Sequence, residues 1–316
     1  MKFQRYLEAK KSVEEDCLSL RVLDDVRGRL KNEDNVSVFE AGAGVGSMVQ
    51  HLVERDVLPD RFTYTALDID AENVERGRKR LADWGRRCGY TVERDDAKMR
   101  FDGAKRFDVT FAEGDLYDYG READEDGEDA DGYDLVVAHA LLDILDLRRA
   151  VDHLFALGDA FYFPVCFDGV TAFEPPFDGD GECDEDSGDC GGFDARVERA
   201  YHATMDAEGR AGSSKTGRRV FDAVRSAGGT VTSAGASDWL VFPDGDGYTD
   251  DEEALLLHIL KTVHGAVRDE GSLDEDKLDA WYDDRKSRVD DGTLVYVAHQ
   301  IDFAGRCGDG EVPNHI

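Results

Sequence analysis

Short apolar runs alternate along this chain with longer stretches whose apolar residues recur every three or four positions. Val36 to Phe39 (VSVF), Phe62 to Leu67 (FTYTAL), Phe107 to Ala112 (FDVTFA), Tyr133 to Ala138 (YDLVVA) and Ala160 to Phe167 (AFYFPVCF) are short and rich in β-branched and aromatic residues. That composition predicts five buried strands. Thr230 to Ala234, Trp239 to Phe242 and Thr293 to Ala298 are further strand material. Helical spacing marks Ala71 to Trp84, Leu147 to Leu157, Arg196 to Met205, Gly217 to Ala227, Asp250 to Val267 and Asp274 to Val289. At the start, Ser12-Val-Glu-Glu15 reads as a capping box that opens a helix through Val13, Cys17, Leu20, Leu23, Val26 and Leu30. Phe3 to Lys11 reads as a short helix ahead of it. Strands alternating with helices predict an α/β fold around a mostly parallel sheet with helices on both faces.

The first strand leads into the most informative local pattern. Val36 to Ser47 reads VSVFEAGAGVGS, placing Glu40 at the strand's end and glycines at 42, 44 and 46 before a helical segment. Glycine at alternate positions lets the backbone turn tightly and lets a ligand lie against it without meeting a Cβ. A dinucleotide fingerprint spaces its glycines G-x-G-x-x-G, whereas Gly46 arrives one residue early and an acid precedes the first glycine. The second strand ends at Asp68-Ile69-Asp70, about 20 residues on, where an acid would hold ribose hydroxyls. Asp70, directly before a helical run, is placed to cap it. The third strand ends at Gly114-Asp115-Leu116 and the fourth at His139-Ala-Leu-Leu-Asp143.

This E-x-G-x-G-x-G spacing resembles motif I of the class I S-adenosylmethionine-dependent methyltransferases, and polar groups at the ends of strands two to four follow that family's pattern. The resemblance implies a Rossmann-like, seven-stranded sheet with an antiparallel last strand and S-adenosylmethionine as cofactor. It implies a cofactor set of Glu40, Gly42, Gly44, Gly46, Asp68, Ile69, Asp115, Leu116 and His139. In that family an acid at the position of Asp115 accepts the adenine amino group and the next residue, here Leu116, packs on the ring. Leading helices in such enzymes often close over the cofactor. On that basis Arg21 is expected to pair with the methionyl carboxylate, and Tyr6 and Lys11 to face the substrate, the alternative being an exposed helix face. His139 is the candidate base or substrate anchor, since a histidine titrates near neutrality, or a group that only packs beside the adenosine. Tyr201, His202 and His258 lie in segments that could roof the pocket, or serve as structural or surface residues alone. Residues 1–31 are read as a helical cap and 32–316 as the methyltransferase domain. Within that domain 36–165 is the cofactor-binding half, 166–192 an acidic flap and 244–291 a helical insertion.

Composition alters this picture mainly at the surface. The 316 residues carry 48 Asp, 23 Glu, 27 Arg and 11 Lys, a formal charge of −33. Such an acidic, lysine-poor surface fits a cytoplasm full of salt, where self-repulsion is screened. Phosphate binding needs clustered Lys and Arg, and the one short basic patch, Arg76 to Arg80, fits the outer face of a helix, so no nucleic-acid partner is expected. The absence of an 18-residue apolar run and of an apolar N-terminal core leads to the expectation of a cytoplasmic protein without a membrane partner. The six cysteines match no zinc spacing and read as free thiols, so no metal is expected. Asp118 to Gly132 and Asp178 to Gly192 fail the EF-hand pattern and read as acidic surface loops. Strand four lacks the Asn-Pro-Pro-Tyr signature of enzymes that methylate amide or base nitrogens. The expected function is therefore methyl transfer to a small molecule at oxygen, nitrogen or carbon. The rivals are a non-catalytic nucleotide-binding or regulatory module and a dinucleotide-dependent oxidoreductase.

Overall fold

The structure, a computed structural model, describes residues 3–120, 132–177, 192–245 and 247–308. The acidic stretches 121–131 and 178–191, inside the two expected loops, lie outside the described residues. In chain order the elements begin with α1 (Phe3–Cys17), α2 (Leu20–Leu30), β1 (Val36–Ala41), α3 (Ser47–Glu54), β2 (Arg61–Asp68), α4 (Ala71–Arg87), β3 (Thr91–Asp95), β4 (Lys98–Asp102), β5 (Arg106–Glu113) and β6 (Tyr133–Ala138). There follow α5 (Leu147–Phe155), β7 (Gly158–Glu174), α6 (Phe193–Met205), α7 (Thr216–Ser226), β8 (Thr230–Ala236), β9 (Trp239–Val241), α8 (Asp250–Glu270), α9 (Glu275–Asp290) and β10 (Val295–Arg306). They make two compact units. The larger holds residues 18–166, 216–237 and 301 onward, and the smaller holds 1–17, 167–215 and 238–300.

The sheet runs in the order β3-β4-β5-β2-β1-β6-β7-β10-β8. Strands β5, β2, β1, β6 and β7 run parallel to one another, while β10 is antiparallel to β8. In a dinucleotide-binding sheet the sixth strand follows the fifth directly. Here the chain's last strand stands between them, giving the expected Rossmann-like architecture with an antiparallel last strand. The sheet is wider than the seven strands expected, because residues 91–102 add the antiparallel hairpin β3–β4 beside β5. Most of that hairpin is exposed polar sequence; Met99 and Phe101 bury, and Phe101 stacks on Phe107 at 4.5 Å.

Alternation along the parallel strands supplies both faces of the core. Phe39, Ala41, Leu67, Val136, Ala138, Phe161 and Phe163 meet Ala150, Val151 and Leu154 of α5 and Val220 and Val224 of α7. Toward α4 the fit depends on Gly77, where a Cβ would stand 2.5 Å from the Phe111 ring.

The N-terminal boundary differs from the expected one. Ser12 does not cap a helix; its hydroxyl donates back to the Ala9 carbonyl at 3.1 Å, and α1 continues to Cys17. The break falls at 18–19, where the Ser19 N–H donates to Asp302 Oδ2 at 2.9 Å. Residues 1–31 therefore divide, with α1 in the smaller unit and α2 in the larger. Asp302 is fully buried and also accepts the Val165 N–H at 2.8 Å and, more weakly, the Tyr162 hydroxyl at 3.5 Å. Val165 has φ 60°, a left-handed conformation that a β-branched residue adopts only under constraint. The carboxylate thus joins the start of α2, the bend in β7 and the last strand. Burial pushes its pKa up, against the pull of Ser237, these N–H donors and His139.

In the smaller unit α8 packs against α1, α6 and α9. A capping box, Thr249 with Glu252, starts α8, and Gly271 in left-handed conformation ends it. The expected flap begins as strand, since β7 runs to Glu174. Its flanks meet at one carboxylate: Asp194 accepts the Phe177 N–H at 2.8 Å, the Trp281 indole N–H at 2.8 Å and the guanidinium of fully buried Arg285 at 2.6 Å. Arg285 also donates to the Pro175 carbonyl at 2.6 Å.

Two outcomes are expected. Asp194→Ala takes from buried Arg285 its 2.6 Å partner, leaving Asp284 at 3.4 Å, and strands two N–H donors, and should cost up to about 3–5 kcal/mol in denaturant unfolding. Replacing the pair together, Asp194→Leu with Arg285→Met, should recover most of that loss; equal stability of the single and double variants would refute the ion-pair account. For Asp302, the folded carboxyl holds its proton to higher pH than the unfolded value near 3.9. Stability is therefore full below that value and falls as pH rises through the raised folded pKa. Asp302→Asn should remove this pH dependence while costing about 1–3 kcal/mol, because its amide N–H₂ faces one of two N–H donors. Urea midpoints across pH for both proteins check the sign: the wild-type advantage should shrink as pH rises.

Candidate functional site

The glycine turn occupies the carboxyl end of β1, as its sequence implies, and all three glycines are left-handed, with φ of 66° at Gly42, 54° at Gly44 and 71° at Gly46. Two of them also make room for the protein itself. A Cβ on Gly42 would lie 2.8 Å from Leu141, and one on Gly46 would lie 2.9 Å from Phe111. Gly44 instead contributes its backbone, donating its N–H to Asp68 Oδ2 at 2.7 Å. The Ala43 N–H donates to the Leu67 carbonyl at 2.9 Å, so the turn is laced to the end of β2 by backbone and side chain together.

Asp68 is buried at 8% exposure, and its Oδ1 accepts the Asp70 N–H at 2.9 Å and the Asn73 amide at 3.1 Å. An ionised carboxylate offers roughly four lone-pair sites. Three are occupied by these donors, leaving one on Oδ2 for an incoming hydroxyl. The next residue, Ile69, is 71% exposed, a large apolar side chain kept in water at the end of a core strand. Asp70 caps α4 as expected, accepting the Glu72 N–H at 2.8 Å.

Asp115 is exposed after β5; Oδ1 accepts the Tyr117 N–H at 2.7 Å, which fixes the carboxylate and leaves Oδ2 to accept from a ligand. Leu116 packs partly buried against the core. Glu40 differs from its neighbours in the expected set: it is fully buried and its Oε2 accepts the Tyr64 hydroxyl at 2.8 Å. Burial raises the Tyr64 pKa well above its ordinary value, and Glu40 adds to that.

His139 closes β6, 7% exposed. Directly after it, Ala140 takes φ 48° and its N–H donates to the Pro164 carbonyl at 3.1 Å. Left-handed Ala140, just past β6, and Val165, midway along β7, are two strained non-glycine residues, and such strain clusters at functional sites. Arg21 lies exposed on the first turn of α2 and forms no ion pair among the described residues. A cation there is disfavoured by the helix dipole, so nothing local retires its charge.

The remaining expected substrate residues lie in the smaller unit. Tyr6 stacks on His258 with ring centroids 4.2 Å apart. His202 Nε2 meets the Thr171 hydroxyl at 3.0 Å, and burial lowers the pKa of both His202 and His258. Tyr201 and Tyr6 lie close enough to fully buried Tyr296 to raise its pKa, after burial itself. Lys11 pairs with Glu15 at 3.6 Å. The structure therefore gathers Tyr6, Tyr201 and Tyr296 in one aromatic neighbourhood, and the glycines, Asp68, Ile69, Asp115 and His139 in the larger unit. Sequence reasoning missed Asp302, Asn73 and Leu141; Asp302 was signalled only as an acid inside an apolar strand pattern.

No protein-family model matches the sequence, and no curated protein matches it. Solved structures do. A Haloferax volcanii protein assigned as a methyltransferase, in complex with the Trm112 methyltransferase activator, aligns over 98% of this chain and 99% of its own with TM-score 0.44 and 15% identity. Magnesium protoporphyrin IX methyltransferase from Synechocystis, with bound SAH, aligns over 75% and 82% with TM-score 0.42 and 14% identity. A cyclopropane synthase from Mycobacterium tuberculosis aligns over 90% and 82% with TM-score 0.43 and 10% identity. Values this low assign no activity, and the fold stands on the strand order and the turn.

Proposed function

We propose that the chain is an S-adenosylmethionine-dependent methyltransferase acting on a small molecule. One observation carries the reading: the Asp68 carboxylate is clamped by the Gly44 N–H with a single acceptor site left, beside an Ile69 side chain held in solvent. That pairing suits a ribose hydroxyl next to a flat heterocycle. Asp115 Oδ2 suits an amino group on the heterocycle, with Leu116 beside it, and exposed Arg21 suits a carboxylate. A nicotinamide dinucleotide fits less well, because the third glycine is early and the last strand runs antiparallel beside β8.

The cofactor, when bound, supplies a methyl group already activated on a sulfonium. What this chain must then do is align a nucleophile and exclude water, an effect worth about 7–11 kcal/mol when orientation is good. His139, buried at the end of β6, is assigned to orient the acceptor or take its proton. Tyr6, Lys11, Tyr201 and His202 are assigned to acceptor choice.

Calorimetry in molar salt should show binding of S-adenosylmethionine and S-adenosylhomocysteine and none of NAD; NAD binding alone would overturn the reading. Arg21→Ala should weaken S-adenosylmethionine about tenfold, the scale of one lost charge-assisted bond, with an unchanged melting temperature. Asp68→Ala should behave otherwise. It should lose about 1–3 kcal/mol of binding and also stability, because three internal donors lose their acceptor. An Asp68→Ala protein with wild-type stability would disprove the clamp.

A further inference from the structure

On the smaller unit, α8 buries Leu255, Leu256, Leu260, Val263 and Val267 in its own core. At 3.6 residues per turn, Ala254, Leu257, Lys261 and Gly265 lie roughly half a turn away. They line a groove of about 690 Å³ together with Tyr282 and Lys286 of α9. That volume falls within the range of small-molecule sites, about 300–1,000 Å³.

Two features of the groove are not accounted for by folding. In a chain with 11 lysines against 71 acids, Lys10, Lys11, Lys79, Lys98 and Lys105 each hold a carboxylate. Lys261 and Lys286, converging on this groove, form no ion pair among the described residues. The second feature is Gly265. It sits inside a 21-residue helix, where glycine is about 1 kcal/mol worse than alanine, yet a Cβ there would meet nothing within 4 Å. The protein's own packing does not require it, and its absent side chain keeps that stretch of the groove open.

We propose that this groove binds a small organic anion with an apolar body. The anionic group sits on Lys261 and Lys286, and the apolar part lies along Leu257 and Ala254. Asp250 and Glu253 line the opposite end of the groove and set this polarity, since they repel an anion and are themselves favoured by the helix N-terminus. Along α8, the rise from Glu253 to Lys261 is about 12 Å, room for an extended alkyl chain. Molar salt, with a screening length near ~3 Å, removes the chain's overall repulsion of anions but leaves contact pairs. The inference is independent of the cofactor reading, because no residue of that set lines the groove.

The test uses decanoate below its micellar concentration and the full chain, followed by calorimetry and by NMR of the groove residues. Saturable binding is expected, and decyltrimethylammonium, with the same tail and opposite charge, should bind much more weakly. Lys261→Gln with Lys286→Gln should weaken decanoate about tenfold or more, the scale of a lost charge-assisted contact. Gly265→Leu fills the groove and should abolish binding without lowering the melting temperature. Absence of saturable binding, equal binding of both amphiphiles, or unchanged binding to the folded Gly265→Leu protein would each overturn the proposal.

Discussion

The glycine turn is held by one carboxylate. Three consecutive alternate glycines in left-handed conformation have little intrinsic reason to stay in a single arrangement, and the entropy lost in fixing them is larger than for any other residue. Asp68 opposes that loss by taking the Gly44 N–H, the Asp70 N–H and the Asn73 amide at once, so the end of β2, the start of α4 and the turn after β1 become one rigid piece. Everything expected of the larger unit as a binding surface depends on that piece. The exposure of Ile69 is a side effect of it, because the backbone that pins Asp68 and Asp70 inward leaves the residue between them pointing to water.

A second carboxylate organises the opposite end of the sheet order by the same physics. Asp302 gathers N–H donors from Ser19 and Val165 in a fully buried site. Acids dominate this sequence, yet few are buried among the described residues, and Asp68 and Asp302 are held there by accepting from backbone donors that would otherwise be orphaned. Some surface acids pair locally with an arginine or lysine three or four residues away on the same helix, an arrangement of small individual value.

What could be read from sequence was local. The turn, the Asp70 cap and most helix spans depend on residues within a few positions of one another, and the strands of the parallel sheet announced themselves as apolar runs. The misread features depend on distant partners. Ser12 to Glu15 has the letters of a capping box, but the helix continues because the break is set by Asp302, 283 residues beyond Ser19. Hairpin β3–β4 buries too few residues to leave an apolar signature, and it is tied to the sheet by its backbone pairing with β5 and by the Phe101–Phe107 stack. The shared space at Gly42 and Leu141 could not be inferred from a glycine motif whose usual reading is ligand access. Nor could the motif show that Glu40 is also engaged by the fold through Tyr64.

The division of the chain into units has a consequence for how it comes to be folded. The chain passes between units at 17/18, 166/167, 215/216, 237/238 and 300/301, so neither unit is a continuous segment. During synthesis α1 emerges first and its partner α8 emerges some 250 residues later; the Arg5–Asp251 pair spans 246 positions. The larger unit in turn lacks β10, which holds Asp302, until nearly the whole chain is made. Contacts of such sequence separation form slowly and leave apolar helix faces waiting in solvent. An abundance of acids would keep those waiting faces apart from one another on neighbouring chains, so the charge acts on the unfinished chain before there is a folded surface to carry it.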